Sequence, residues 1–98
     1  MEKKHFVLHL LPSRPSFAMD MNEEERAIMQ QHVVYWRELM DKGMVIVYGP
    51  VMDPKGPYGL GVVRVDDEEQ LKTLIANDPA GTINRYEYFP MRAITPAN

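Results

Sequence analysis

The stretch from Glu23 to Pro50 constrains this chain most, because it reads as a long helix, a glycine stop and a buried strand in immediate succession. From about Asn22 to Asp41, the residues Ile28, Met29, Val33, Tyr35, Trp36, Leu39 and Met40 fall on one continuous arc at about 100° per residue. Glu24, Gln30, Gln31, Arg37, Glu38 and Asp41 lie mostly outside it. His32 falls inside the arc, so a titratable imidazole is aimed where the core should be. Asn22 can cap this helix, with Glu25 reaching back as in a capping box. Glu23, Glu24 and Glu25 then occupy the first turn, where the helix dipole favours negative charge. Gly43 supplies the stop.

The remaining elements follow from periodicity and punctuation. Residues 5–11 predict a strand with Phe6, Leu8 and Leu10 on one face and Val7 and Leu11 on the other. The segment from Leu11 to Phe17 carries Pro12 and Pro15 and reads as an ordered loop. Residues 44–52 predict a second strand, apolar on both faces. Its Gly49-Pro50 pair calls for an edge position or a bulge there. Asp53-Pro54-Lys55-Gly56-Pro57 is a turn. Residues 58–65 form the third strand, with Gly59 and Gly61 on one face, which suggests close approach by another backbone or a ligand. Asp66 caps a shorter helix striped with Leu71, Leu74 and Ile75, and Asn77-Asp78-Pro79-Ala80-Gly81 breaks it. Residues 86–94 make the last strand.

The order is strand, helix, strand, strand, helix, strand. It predicts an α+β, ferredoxin-like βαββαβ protomer: an antiparallel four-stranded sheet with both helices on one face. The chain of 98 residues is expected to be a single domain over 1–98. The other sheet face should be polar if it met water. The first two strands are apolar on both faces, so a homodimer through sheet-to-sheet packing is expected.

Composition removes several classes. The net charge of −3, with no Lys/Arg cluster, argues against a nucleic-acid binder. There is no cysteine, hence no disulfide, thiolate metal site or cysteine nucleophile. No apolar run approaches the ~20 residues of a membrane span, and no signal-peptide core follows Met1; a cytoplasmic protein away from membranes is expected. His5 and His9 share a strand face but lack an obvious third ligand, so no metal site is expected. Ser13 and Ser16 lack a nucleophile-elbow pattern, and residues 56–61 lack the helix and lysine of a phosphate loop. No cofactor is expected.

The chain resembles the YciI-like (YCII-related) family of the dimeric α+β barrel superfamily. The resemblance rests on Arg14-Pro15-Ser16-Phe17, the run from Glu25 to His32, Tyr35-Trp36, Gly43, Tyr48-Gly49-Pro50-Val51, Asp53-Pro54-Lys55-Gly56, Gly59-Leu60-Gly61 and Asn77-Asp78-Pro79. It implies a ferredoxin-like protomer, a dimer with facing sheets and an active-site pair of His32 and Asp78. In that pair His32 is the acid/base and Asp78 fixes its tautomer and supports its charge. The competing readings are a core histidine satisfied by a backbone carbonyl and an aspartate in ordinary Asp-Pro loop chemistry. Arg14 is a candidate carboxylate or phenolate anchor or a solvated loop cation. Tyr35, Trp36 and Tyr48 are candidate walls of a cleft for a small-molecule ring or plain core. Two functions follow: a small enzyme moving a proton on a small organic acid or ring compound, by isomerisation, elimination or hydrolysis, or a non-catalytic ligand-binding or regulatory dimer.

Overall fold

The computed structural model describes residues 2–96. In chain order they form β1 (Lys4–Leu11), a single turn α1 (Phe17–Asp20), α2 (Glu23–Asp41), β2 (Val45–Val51), β3 (Tyr58–Val65), α3 (Glu68–Ala76), a 3₁₀ turn (Pro79–Thr82) and β4 (Arg85–Met91). The strands make one antiparallel sheet in the order β2-β3-β1-β4. This is the ferredoxin-like arrangement expected from the order of elements.

Both helices lie on one face. Phe6 and Leu8 of β1, Val45 of β2 and Val63 and Val65 of β3 share a single buried cluster with Trp36 and Leu39 of α2 and Leu71 and Leu74 of α3. The α2 capping box is present: Asn22 Oδ1 accepts from Glu25 N at 2.8 Å, and Glu25 Oε1 accepts from Asn22 N at 2.9 Å. Gly43, at φ 81°, closes the helix in a conformation that L side chains resist.

The sequence reading needs adjustment at four places. First, the loop after β1 contains the turn α1, which buries Phe17. Second, α3 is capped by Asp67 rather than Asp66. Asp67 Oδ1 accepts from Gln70 N, so the cap sits one residue later, and Gln70 Oε1 accepts from the N–H of Asp66 before it. Third, β4 stops at Met91 because Met91 pairs with His5, near the start of β1, where the ladder runs out. Ile94 is 99% exposed.

The fourth adjustment matters most for the site. β2 is an edge strand, as Pro50 requires, but the register irregularity falls at Ile46, between the pairs Val45↔Val63 and Val47↔Val62. One extra residue on β2 inverts the alternation that follows it. Tyr48 thereby lies opposite Gly61 on the helix-covered face, where an uninterrupted strand would have turned it outward. No helix among the described residues is long and apolar enough to cross a membrane.

Candidate active site

Asp78 is the centre of the site. It precedes the 3₁₀ turn and caps it, Oδ1 accepting from Ala80 N at 2.9 Å. Three side chains also converge on it. His32 Nδ1 lies 2.8 Å from Oδ2 and 3.0 Å from Oδ1. Trp36 Nε1 donates to Oδ2 at 2.8 Å, and the Tyr86 hydroxyl donates to the same oxygen. The Asp78 side chain is fully buried, and His32 retains 13% exposure.

A carboxylate buried this deeply would ordinarily be pushed toward protonation. The hydrogen bonds from His32, Tyr86 and Trp36 outweigh that burial and hold its pKa below the usual carboxylate value. Asp78 is therefore a charged acceptor, and the proton on the facing imidazole nitrogen must be on Nδ1. Burial first, and then the neighbouring Asp78, push the Tyr86 hydroxyl well above its usual range, so it stays a donor. Nε2 of His32 has no hydrogen-bond partner among the described residues.

His32 lies on the wall of a cavity of about 270 Å³ between the middle of α2, α1 and the helix-covered face of the sheet. Leu8, Leu10, Trp36, Tyr48 and Tyr86 also line it, and Phe17 and Met21 close it from the α1 side. Two glycines of β3 at the floor make room for neighbouring side chains. A Cβ at Gly59 would meet Leu10 Cβ at 3.2 Å, and one at Gly61 would meet Trp36 Cζ3 at 2.6 Å. Close approach at Gly61 was expected from a backbone or a ligand, and the Trp36 indole makes it. The indole is held in place by Tyr48, at 5.8 Å between ring centroids, and by the stacked Tyr86 at 6.4 Å.

Of the residues singled out in the sequence, His32 and Asp78 are in direct contact, and Trp36 and Tyr48 line the cavity. Arg14 and Tyr35 do not line it. Arg14 is engaged elsewhere: its guanidinium takes Glu25 bidentately at 2.8 and 2.9 Å, and its Nε donates to Asp20 Oδ1 at 2.9 Å. Tyr35 donates its hydroxyl to Leu74 O at 2.6 Å and ties α2 to α3. Burial and the nearby Asp78 charge push Tyr35 up to about 12.

Sequence reasoning missed three polar residues of the cavity wall, Tyr58, Asn84 and Tyr86. The strict alternation Arg85-Tyr86-Glu87-Tyr88 carried the signal for Tyr86, since it marks the tyrosines as one face of a strand. Asn84, in the connection before β4, had no such signal. The described residues contain no cluster of three or more His, Asp or Glu side chains able to hold a metal ion.

Fold and site together define an α+β protein with a buried, hydrogen-bonded His–Asp pair at the wall of an apolar cavity. The chain belongs to the YCII-related domain family, which matches residues 6–94. Among solved structures it is similar to a mutant form of SnoaB, a cofactor-independent oxygenase from Streptomyces nogalater. The two share 10% identity over 98% of this chain and 97% of that one, with a TM-score of 0.50. It is also similar to NE2512, a protein of unknown function from Nitrosomonas europaea, at 15% identity, the same coverage and a TM-score of 0.49. At such identity the SnoaB likeness speaks to the fold alone. Comparison with curated proteins finds no match.

Proposed function

We propose that this protein is a small enzyme that moves a proton on a ring compound, with His32 as general acid/base and Asp78 as the residue that orients it and steadies its charge. One observation carries the reading: Asp78 binds Nδ1 of His32, while the ring borders an apolar cavity and Nε2 has no partner among the described residues. In that arrangement Nε2 takes a proton from the substrate, and the imidazolium forms beside a carboxylate already in place. Returning the proton to a different substrate atom gives isomerisation. Departure of a leaving group with the bonding electron pair gives elimination. Trp36 and Tyr48 serve as walls that hold the ring. A homodimer packed sheet to sheet is proposed as the working form.

The test is turnover by the His32→Ala protein, on the first substrate found by screening ring compounds with acidic O–H or C–H bonds. Loss of about 10²–10⁴-fold in kcat/KM with the fold retained is expected. Full turnover by the variant would rule out His32 as the acid/base, whereas ring compounds that bind in the cavity and are never turned over by the wild type would leave a non-catalytic binding protein.

A further inference from the structure

Protein donors fill the Asp78 carboxylate. Its two oxygens offer about four lone-pair sites, and the Ala80 N–H, His32 Nδ1, Trp36 Nε1 and the Tyr86 hydroxyl are directed at them. His32 and Trp36 stand four residues apart on α2, so one helix face presents both to the same carboxylate. The Tyr86 hydroxyl reaches it from β4. Trp36 Nε1 also lies 3.1 Å from the Tyr86 oxygen, so the indole polarises the phenol as a donor. The Tyr86 ring stacks on Trp36 and lines the cavity. A phenylalanine would do both, and a buried hydroxyl is a cost unless its bond is used.

The use follows from the charge of the pair. With a neutral imidazole the site is net negative; with an imidazolium it is balanced. In a buried site the net-negative state is the costly one, so a carboxylate with no other donors draws a proton onto the histidine beside it. A general base must be neutral when its substrate arrives. Donors to Asp78 other than His32 stabilise the net-negative state and so favour the neutral imidazole. The surroundings supply no rival charge. Tyr48 of β2 and Tyr58 of β3 are phenols on the cavity wall, and the Tyr35 hydroxyl of α2 is bound to Leu74 O. Arg14, Asp20 and Glu25 are paired with one another where α1 meets α2. Arg85 and Glu87 flank Tyr86 on the opposite sheet face and face each other.

We infer that Tyr86 is a positioning residue for the acid/base pair: its hydroxyl carries part of the Asp78 charge, which leaves His32 neutral and ready to take a proton, and it pins the carboxylate that pins the ring. The inference rests on the acid/base reading of His32 and adds the residue that sets its proton affinity. Tyr86 acts through Asp78, because its hydroxyl donates there and its oxygen faces the Trp36 N–H.

The test needs no substrate. Wild type, Tyr86→Phe and Tyr88→Phe are titrated with acid and base while proton NMR follows the ring Hε1 signals of the three histidines; the His32 signal is the one lost in His32→Asn. Tyr86→Phe keeps the ring, and Trp36 keeps its bond to Asp78. Tyr88 shares the strand face of Tyr86, but its hydroxyl donates to Glu68, so Tyr88→Phe removes a hydroxyl without touching Asp78. The His32 midpoint is expected to rise by about one pH unit in Tyr86→Phe, a tenfold gain in proton affinity, and to stay in place in Tyr88→Phe. His5 and His9, on the opposite sheet face, should not move in either. In the wild type the Tyr86 hydroxyl proton should shift along with the His32 titration, a readout that needs no variant to fold. A His32 midpoint unmoved or lowered in Tyr86→Phe, an equal rise in Tyr88→Phe, or a hydroxyl proton indifferent to the titration overturns the role of Tyr86 and leaves the acid/base reading standing. Failure of that reading shows separately, as full turnover by His32→Ala.

Discussion

The Trp36 indole lies directly on Gly61: a Cβ built there would stand 2.6 Å from Cζ3 and 2.7 Å from Cη2. Trp36 is 2% exposed and donates its only N–H to Asp78, so it has no room to retreat without breaking that bond. Gly61→Ala is therefore expected to cost about 1–3 kcal/mol by overpacking and to disturb the His32–Asp78 geometry. Gly49, on the neighbouring strand, has nothing within 4 Å of a built Cβ, so Gly49→Ala is the control and should change stability little. Thermal unfolding of the two variants, with near-ultraviolet dichroism of the single tryptophan, makes the comparison. Equal melting temperatures would refute the account.

Asp78 holds more than the imidazole. Replacing it by alanine strands the Tyr86 hydroxyl, His32 Nδ1 and the Ala80 N–H in a buried site and leaves the Trp36 indole N–H only the Tyr86 oxygen at 3.1 Å. Removing one partner of a buried charged network costs about 3–5 kcal/mol, which for a chain of this size lowers Tm by roughly 15 °C or more. His32→Ala removes only one donor, from a side chain that keeps 13% exposure, and should lower Tm far less. Calorimetry on the pair decides it: a His32→Ala protein as unstable as Asp78→Ala would make the histidine a structural one.

The helix, the sheet order and the His32–Asp78 pair were legible for different reasons. Asn22, Glu25 and Gly43 act within a few residues of themselves, so their caps could be read locally, and the inward place of His32 followed from helical period alone. The partner of His32 came from family resemblance, since nothing local says that the turn at Asp78 folds back onto α2. Arg14 misled because an arginine in a loop advertises its charge and not its partner; Glu25 lies eleven residues away and already serves the helix cap. The inward place of Tyr48 depends on the bulge at Ile46, and a one-residue irregularity in a run of β-branched residues leaves no mark in the sequence.

Arg14 carries a pH prediction. It joins Asp20 in α1 to Glu25 in α2 and so fastens the segment that covers the cavity. Glu25 is lowered from 4.5 to about 2, first by its hydrogen bonds from Arg14 and then by that from the Asn22 N–H. A depressed carboxylate stabilises the fold fully above its unfolded pKa and loses that contribution as the pH falls through the folded one. The stability gap between wild type and Arg14→Gln should thus stay level above about pH 5 and shrink between 4.5 and about 2. Urea unfolding at a series of pH values measures it. A gap that instead widens on acidification would show that the clamp does not depend on ionised Glu25.

The sheet face opposite the helices carries the last prediction. Val47, Val62, Val7 and Phe89 pair in register across β2, β3, β1 and β4 and form one row. Val47 is 51% exposed, Phe89 52% and Met91 41%. A contiguous apolar band on a sheet marks a face meant to be covered, and the helices already occupy the other side. A second copy of the chain can present the same band, which a two-fold interface requires. The protein should be a dimer by light scattering at micromolar concentration. Phe89→Glu should shift it to monomer: the substitution puts a charge into the proposed contact, at the β4 end of the row, and touches neither the His32–Asp78 pair nor the buried cluster between sheet and helices. If wild type is a monomer, or if Phe89→Glu leaves the dimer intact, the facing-sheet assembly is wrong, and the band is covered by something else.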